Sequence, residues 1–297
     1  MNPQNPNPLV SIVIPTFNRA DFIKEALDSV FAQTYPNFEV LVVDDGSTDD
    51  TRKVLDAYSQ DPRLRYFYQE NQGQSVARNY GISEAQGEFI CFLDSDNRWL
   101  PNKLDISVRA LTENPGVSVV YGDIITINEK GEQISTYNMR RHSGHIVAHL
   151  FGRNFVSMNT TMSRRECFSE MGAFDPEQRG AEDYELWLRF SVRYRFLYIP
   201  EFLAEYRVME NQLSSDKSLR FRSNQEIMES FVRRFPQALT LAEQKEGWCR
   251  YHLSKGGYHA SVGDLSKAAR EYWRALRYRP MNKAPWRAVA KLALVQR

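Results

Sequence analysis

The chain has 297 residues, 42% of them hydrophobic and 25% charged, which is enough apolar material for one large domain with a smaller appendage and too much for a disordered chain. Its 38 Lys and Arg stand against 37 Asp and Glu, so at a net charge of +1 the chain as a whole lacks the electrostatic signature of a nucleic-acid binder. Cys91, Cys167 and Cys249 lie far apart with no C-x-x-C spacing, which argues against a disulfide framework or a structural zinc and points to a reducing, cytoplasmic setting.

Residues 1–8 are rich in Asn and Pro, carry no apolar signal core, and are expected to be disordered. Nowhere do eighteen apolar residues run together, so any membrane contact is expected to be peripheral. Residues 9–15 form an apolar, β-branched run that predicts a strand, and 20–33 set Phe22, Ile23, Ala26, Leu27, Val30 and Phe31 at helical spacing. Residues 38–44 repeat the strand signal, with Ser47 or Thr48 placed to cap a helix starting near Asp49. Residues 64–68 and 89–93 read as further strands, and the segments after Gly73 and Pro101 as amphipathic helices. This alternation predicts an α/β fold with a doubly wound, mostly parallel sheet covered on both faces. Beyond residue 116 the pattern loosens into an apolar run at 117–121, a turn at Lys130-Gly131, a strand near 159–163 and a helix over about 183–192.

The expected organisation is therefore a catalytic domain over 9–215, with a ligand-binding half at 9–115 and an acceptor half at 116–215, followed by a helical extension at 216–297. In the extension, Gly256, Ala268, Tyr272, Ala275 and Pro280 match the spacing of one tetratricopeptide repeat, which cannot bury its apolar face alone. From Lys267 onward nine Lys or Arg face the single acid Glu271, with Trp273, Tyr278, Trp286, Leu292 and Leu294 interleaved. Such a stretch suits peripheral contact with an anionic membrane or packing against protein.

Ligands of open α/β sheets sit beyond the strands' carboxyl ends, and there the chain puts Pro15-Thr16-Phe17-Asn18, Asp44-Asp45-Gly46-Ser47 and Asp94-Ser95-Asp96. Asp94 and Asp96 offer hard oxygens of the kind that bind Mg²⁺ or Mn²⁺ together with substrate phosphates; a turn cap before the next helix is the plainer role. Asp45 is a candidate acceptor for a nucleobase N–H, and Arg78 a candidate partner for phosphate or for these carboxylates. Asp183, at the start of an apolar helical stretch, reads either as its N-cap or as a general base for an acceptor hydroxyl. His142, His145 and His149 are spaced three and four apart, but no carboxylate or Cys completes a ligand set and Gly144 interrupts it.

Taken in order, Val10-Ser11-Ile12-Val13-Ile14-Pro15-Thr16-Phe17-Asn18-Arg19, Val42-Val43-Asp44-Asp45-Gly46-Ser47-Thr48-Asp49, Gly73-Gln74-Ser75-Val76-Ala77-Arg78-Asn79 and Phe92-Leu93-Asp94-Ser95-Asp96 resemble the motifs of family 2 glycosyltransferases. Gly172-Ala173-Phe174-Asp175 and Glu182-Asp183 with Trp187 extend the resemblance to about residue 210. The resemblance implies a GT-A fold and an inverting, metal-dependent transfer from a nucleotide-sugar, usually a UDP-sugar, to the hydroxyl of a glycan or lipid-linked acceptor. It implies nucleotide contacts from Pro15, Thr16, Phe17, Asp44, Asp45, Arg78, Asp94 and Ser95, and Mn²⁺ or Mg²⁺ on Asp96 with help from Asp94. Asp183 would be the base, and Glu182, Trp187 and Arg207 would lie on the acceptor side. Relatives carry a His two residues after the position of Arg207, where this chain has Met209, so Arg207 or Asn211 is the candidate replacement.

Two other functions fit a sheet of this kind. A sugar-nucleotide-forming nucleotidyltransferase would need a glycine-rich phosphate loop after the first strand, and Pro15-Thr16-Phe17-Asn18-Arg19 contains no glycine. A noncatalytic nucleotide-sugar-binding scaffold would tolerate Asp96→Ala and Asp183→Asn, which a transferase would not.

Overall fold

The computed structural model describes residues 7–136, 139–209 and 216–295; residues 1–6, Asn211 and the side chain of Leu294 lie outside the described residues. Asn7 and Pro8 are tied down, because Asn37 Nδ2 donates to the Asn7 carbonyl (2.7 Å) and Tyr35 Oη to that of Pro8 (2.6 Å).

Strands β1 (Val10–Thr16), β2 (Phe38–Asp44), β3 (Leu64–Tyr68) and β4 (Phe89–Phe92) run parallel in the spatial order β3-β2-β1-β4. Helices α1 (Ile23–Phe31), α2 (Thr51–Asp56) and α3 (Gln74–Glu84) connect them, and α4 (Lys103–Glu113) follows the two-residue strand β5 (Arg98–Trp99). Side chains alternate across a strand, so β1 serves two cores. Ile12 and Ile14 cluster with Ile23, Ala26, Leu27 and Val30 of α1 and with Leu104 and Leu111 of α4. Val13 turns the other way, onto α3, where a Cβ on Gly81 would lie 2.4 Å from Val13 Cγ1. On the same side Phe92 meets Phe168 and Phe174 edge-on, at centroid distances of 5.8 and 5.3 Å. Both faces are covered, as a parallel sheet requires.

The second half mixes directions. Strand β6 (Val119–Ile127) pairs with β7 (Gln133–Thr136), and β8 (Met162–Arg164) lies antiparallel between β4 and β6. Between β7 and β8 comes the short helix α5 (Val147–Leu150); α6 (Glu166–Met171), α7 (Glu182–Phe190) and β9 (Phe196–Arg207) follow. The full order is β3-β2-β1-β4-β8-β6-β9-β5. Strand β9, parallel to β6, contains Pro200, which argues against a strand in sequence because proline cannot donate to the ladder. The register absorbs it: Tyr121 pairs with Tyr198 but Asp123 with Phe202. Opposite the irregularity stands Gly122, where a Cβ would meet Leu203 Cδ1 at 2.6 Å.

The chain divides into two compact units, residues 1–144 with 156–216 and residues 145–155 with 217–297. The second contains α5, α8 (Lys217–Arg234), α9 (Leu241–Ser261), α10 (Leu265–Tyr278) and α11 (Lys283–Val295). Residues 145–155, grouped with the acceptor half on sequence, belong here because Gly152, at φ 97°, rests on α9: a Cβ there would come within 2.2 Å of the Gly247 carbonyl oxygen. Arg250 Nη2 also donates to the carbonyl of Phe151 (2.9 Å). Between α9 and α10 a Cβ on Gly256 would sit 2.5 Å from the Tyr272 ring. Leu292 of α11 completes the cluster with Ala268 and Tyr272, so the hairpin's apolar face is buried within its own unit. Among the described residues no helix is long and apolar enough to cross a membrane.

Candidate active site

The carboxyl ends of β1 and β2 are stitched together by their loops. Asp45 N donates to the Thr16 carbonyl (2.8 Å). Asn18 takes a left-handed backbone (φ 50°), a conformation Asn tolerates better than most side chains. From there its Oδ1 accepts from Thr48 N (2.8 Å) and its N donates to Ser47 Oγ (2.9 Å). Ser47 and Thr48 are thereby engaged across the loop rather than at a helix end, and α2 begins later, with Asp50 at its N-cap position.

Asp44, fully buried, accepts from Ser47 N (2.8 Å) and Tyr66 Oη (3.0 Å), which makes it a brace for this turn. Asp45 accepts from Gln69 Nε2 (2.6 Å), Gln72 N (2.9 Å) and Gly73 N (2.8 Å), so its carboxylate anchors the loop that leads into α3. Pro15 and Thr16 are buried beside it, whereas the Phe17 ring is 43% exposed at the strand ends.

Arg78 of α3 joins the two halves of the catalytic domain. Buried to 3% exposure, it donates through Nη2 to Asp94 Oδ1 (2.7 Å) and through Nη1 to Glu182 Oε1 (3.0 Å), and Gln74 Nε2 donates to the same Glu182 oxygen. Burial works against the guanidinium's charge, but the carboxylates of Asp94 and Glu182 outweigh it and raise the Arg78 pKa. Asn159, in the 3-10 turn Met158–Thr160, grips the other side of Asp94: its Nδ2 donates to Asp94 Oδ2 (2.9 Å) and its Oδ1 accepts from Asp94 N (2.8 Å). Sequence reasoning missed Asn159, and a lone Asn before a strand carries no signal that would have found it. We expect Asn159→Ala to cost about 1–3 kcal/mol, because it removes the donor to Asp94 Oδ2 and leaves the buried Asp94 N–H unmet. Urea denaturation checks this, with an unchanged midpoint as the contrary result.

Asp183 is the second residue of α7. The N-cap position belongs to Ala181, which makes no side-chain cap bond, so the cap role weighed for Asp183 does not hold. The residue is partly exposed and lies in the first turn beside Glu182. Trp187 and Arg207, expected on the acceptor side, are both fully buried. Trp187 packs edge-on against Phe190 (6.0 Å) and Phe196 (6.4 Å) because α7 turns that face to the core. Arg207 donates through Nε to the Asp96 carbonyl (2.9 Å) and through its terminal nitrogens to the Glu129 carbonyl and Glu25 (2.6 Å each). It therefore holds the backbone that presents Asp96.

Ser95 is buried, and the Asp96 side chain is 12% exposed with Arg19 Nε 3.7 Å from its Oδ2. Among the described residues no group of three His, Cys, Asp or Glu converges as a metal site. His142 belongs to one unit and His145 and His149 to the other. Both oxygens of Asp94 already carry donors, so this donor set fits a hard cation only as one shared between Asp96 and the phosphates of a bound ligand.

Comparison with known proteins meets the same segments. The signature of the family described as Glycosyl transferase family 2 matches residues 11–172. The Escherichia coli protein WfgD, named UDP-Glc:alpha-D-GlcNAc-diphosphoundecaprenol beta-1,3-glucosyltransferase, is 31% identical over 241 residues, covering 75% of this chain and 87% of that protein. An uncharacterized glycosyltransferase of Rickettsia felis is 35% identical over 199 residues, and the match covers 67% of this chain and 33% of that protein, so the chain spans about a third of that relative's length. Among solved structures, S. aureus TarS in complex with UDP-GlcNAc superposes with a TM-score of 0.70 at 21% identity over 91% of this chain and 81% of that one. The mannosyltransferase PcManGT of Pyrobaculum calidifontis, in complex with GDP-Man and Mn²⁺, gives 0.67 at 20% identity over 99% and 82%. These likenesses show a GT-A fold.

Proposed function

The chain belongs to glycosyl transferase family 2, and from that membership we propose that it moves a sugar from a nucleotide-diphosphate donor, a UDP-sugar, to the hydroxyl of a lipid-linked or glycan acceptor in cell-surface polysaccharide synthesis. The observation that carries this reading is the Asp94–Arg78–Glu182 bridge, which brings Asp94, beyond the end of β4, and Glu182, at the start of α7, onto one guanidinium. The names of WfgD, with its UDP-glucose donor and diphosphoundecaprenol-linked acceptor, and of PcManGT with Mn²⁺, support the choice of donor, acceptor and cation. In this reading the protein works in the cytoplasm, at the inner face of the membrane that holds the lipid-linked acceptor.

In this mechanism the exposed Phe17 ring stacks on the nucleobase, and Asp45, which follows β2 and is held by the loop entering α3, accepts a base N–H. Arg78 and Asn159 hold Asp94 toward the ribose side, while Arg207 holds the backbone of Asp96. Asp96 would hold Mn²⁺ or Mg²⁺ against the donor diphosphate, and the cation, when bound, supplies positive charge to the leaving group. Asp183 accepts the proton of the acceptor hydroxyl as that oxygen bonds to the anomeric carbon. The bond from that carbon to the diphosphate oxygen breaks on the opposite face, its electron pair leaves with the diphosphate, and the anomeric configuration inverts.

A thermal-shift screen of UDP- and GDP-sugars, with and without Mn²⁺, tests the donor assignment. A ligand at 100 times its dissociation constant stabilises the folded state by about 2.7 kcal/mol, a readily visible shift. The expected result is a Mn²⁺-dependent shift with a UDP-sugar; indifference to every nucleotide-sugar would remove the proposal.

A further inference from the structure

We propose that the outer face of α10 and α11 is a docking surface for an anionic lipid bilayer, a partner surface that rests on the reading of a lipid-linked acceptor given above. The inner face of α10 is spent on its own unit: Ala268, Tyr272, Ala275 and Leu276 are buried. The opposite face presents Arg270, Trp273 and Arg277, all exposed at helical spacing. On α11 the exposed residues include Lys283, Trp286 and Arg287, so each helix contributes one tryptophan flanked by cations. The two rings meet edge-to-face at 6.0 Å and 79°, while remaining 53% and 49% exposed. Between the helices Met281 stands 92% exposed.

The ring pair and the Trp286 bond to Pro280 fix the two tryptophans, yet about half of each and nearly all of Met281 are left in water while the same helices bury Ala268, Tyr272 and Leu292. Three features select the bilayer interface as the occupant. The Trp286 indole N–H is already given to the Pro280 carbonyl (2.8 Å), so that ring turns outward with its polar atom satisfied. The surrounding charge is mostly basic: Lys267, Arg274 and Arg279 are paired with Asp264, Glu271 and Glu246, while among the described residues Arg270, Arg277, Lys283 and Arg287, around the two tryptophans, stand without a salt bridge. Tryptophan amid Lys and Arg is the composition that binds at the headgroup level of anionic membranes. Single-stranded nucleic acid, by contrast, is held by bases stacking on open aromatic faces, and here the two rings close on each other.

The test is flotation of the full chain with vesicles of phosphatidylcholine alone and of phosphatidylcholine with about a third phosphatidylglycerol. The proposal expects binding to the anionic vesicles only, release by salt, and a loss of about tenfold or more in both Trp273→Ala/Trp286→Ala and Arg270→Glu/Arg277→Glu. Arg270 and Arg277 are exposed, so Arg270→Glu/Arg277→Glu should melt as wild type does; the tryptophan variant gives up the ring pair and the Trp286 bond to Pro280, and its binding is read below its own melting temperature. It is overturned by absence of binding to anionic vesicles, by equal binding to neutral ones, by full retention of binding in both variants, or by a single-stranded oligonucleotide competing the protein off the vesicles. The nucleotide-sugar melting shift, read on the same samples without vesicles, reports the transferase reading separately. A shift without vesicle binding sinks the docking surface alone; vesicle binding without a shift supports the docking surface and sinks the transferase.

Discussion

Asp183→Asn should lower sugar transfer by roughly 10²- to 10⁴-fold while leaving donor affinity within a few-fold. The asymmetry follows from where the residue sits. Asp183 is partly exposed in the first turn of α7 and is not the N-cap, so an isosteric amide removes a base without removing a cap. The donor-side contacts, from Phe17, Asp45 and the Asp94–Arg78 pair, lie on other elements and are untouched. A hydroxyl becomes acidic only as it bonds to carbon, so an ionised carboxylate needs little tuning to take its proton. Rates of nucleotide-sugar turnover and calorimetric donor binding, measured on the same preparation, separate the two effects. Near-normal transfer in the variant would contradict the assignment, and a parallel collapse of donor binding would mean that the residue is structural.

Arg78→Met should destabilise the first unit by about 3–5 kcal/mol, because breaking a buried ion network strands charges that were desolvated together. The side chain is 3% exposed, and removing it leaves Asp94 and Glu182 facing each other without the cation between them. The variant should also bind nucleotide poorly, since Asp94 loses the guanidinium that orients it. Urea denaturation of Arg78→Met beside Arg78→Met/Glu182→Gln decides the cause: relieving one stranded charge should restore part of the stability. Equal stability of the two variants would mean that the loss comes from packing alone.

The reach of the sequence follows from how local each signal is. Strands β1, β2 and β4 are runs of β-branched and aromatic residues buried on both faces, so their identity is visible in a window of seven residues. The parallel half of the sheet and the loops at its carboxyl ends follow from that alternation. Strand β9 was hidden by Pro200, whose cost is absorbed by a register shift opposite Gly122, a device that exists only once β6 is alongside. Strand β5, two residues long, has no periodicity to read.

At the site, the carboxylates were legible because strand-end position follows from local pattern. Of their supports only Arg78, a candidate partner for these carboxylates on sequence, was legible. Asn159 reaches Asp94 across 65 residues, and Glu25 meets Arg207 across 182, so neither pairing leaves a trace in spacing. The same gap holds for Trp187 and Arg207: the resemblance implied the acceptor side for both, and only the folded mixed half of the sheet shows their side chains turned inward. The partners of Asp44 and Asp45 were hidden for a comparable reason, since only the folded loops bring Ser47 N and Tyr66 Oη to the first and Gln69, Gln72 N and Gly73 N to the second.

The central claim is that a divalent cation held by Asp96 ties the donor diphosphate to the strand ends. Its most direct test is calorimetric titration of UDP into wild type and Asp96→Ala, each with Mn²⁺ and with chelator. The account predicts that wild type binds at least about tenfold tighter with Mn²⁺, a difference of about 1.4 kcal/mol, and that Asp96→Ala binds at the chelated level in both conditions. Binding that ignores Mn²⁺ in wild type, or a full Mn²⁺ effect retained in Asp96→Ala, would contradict it.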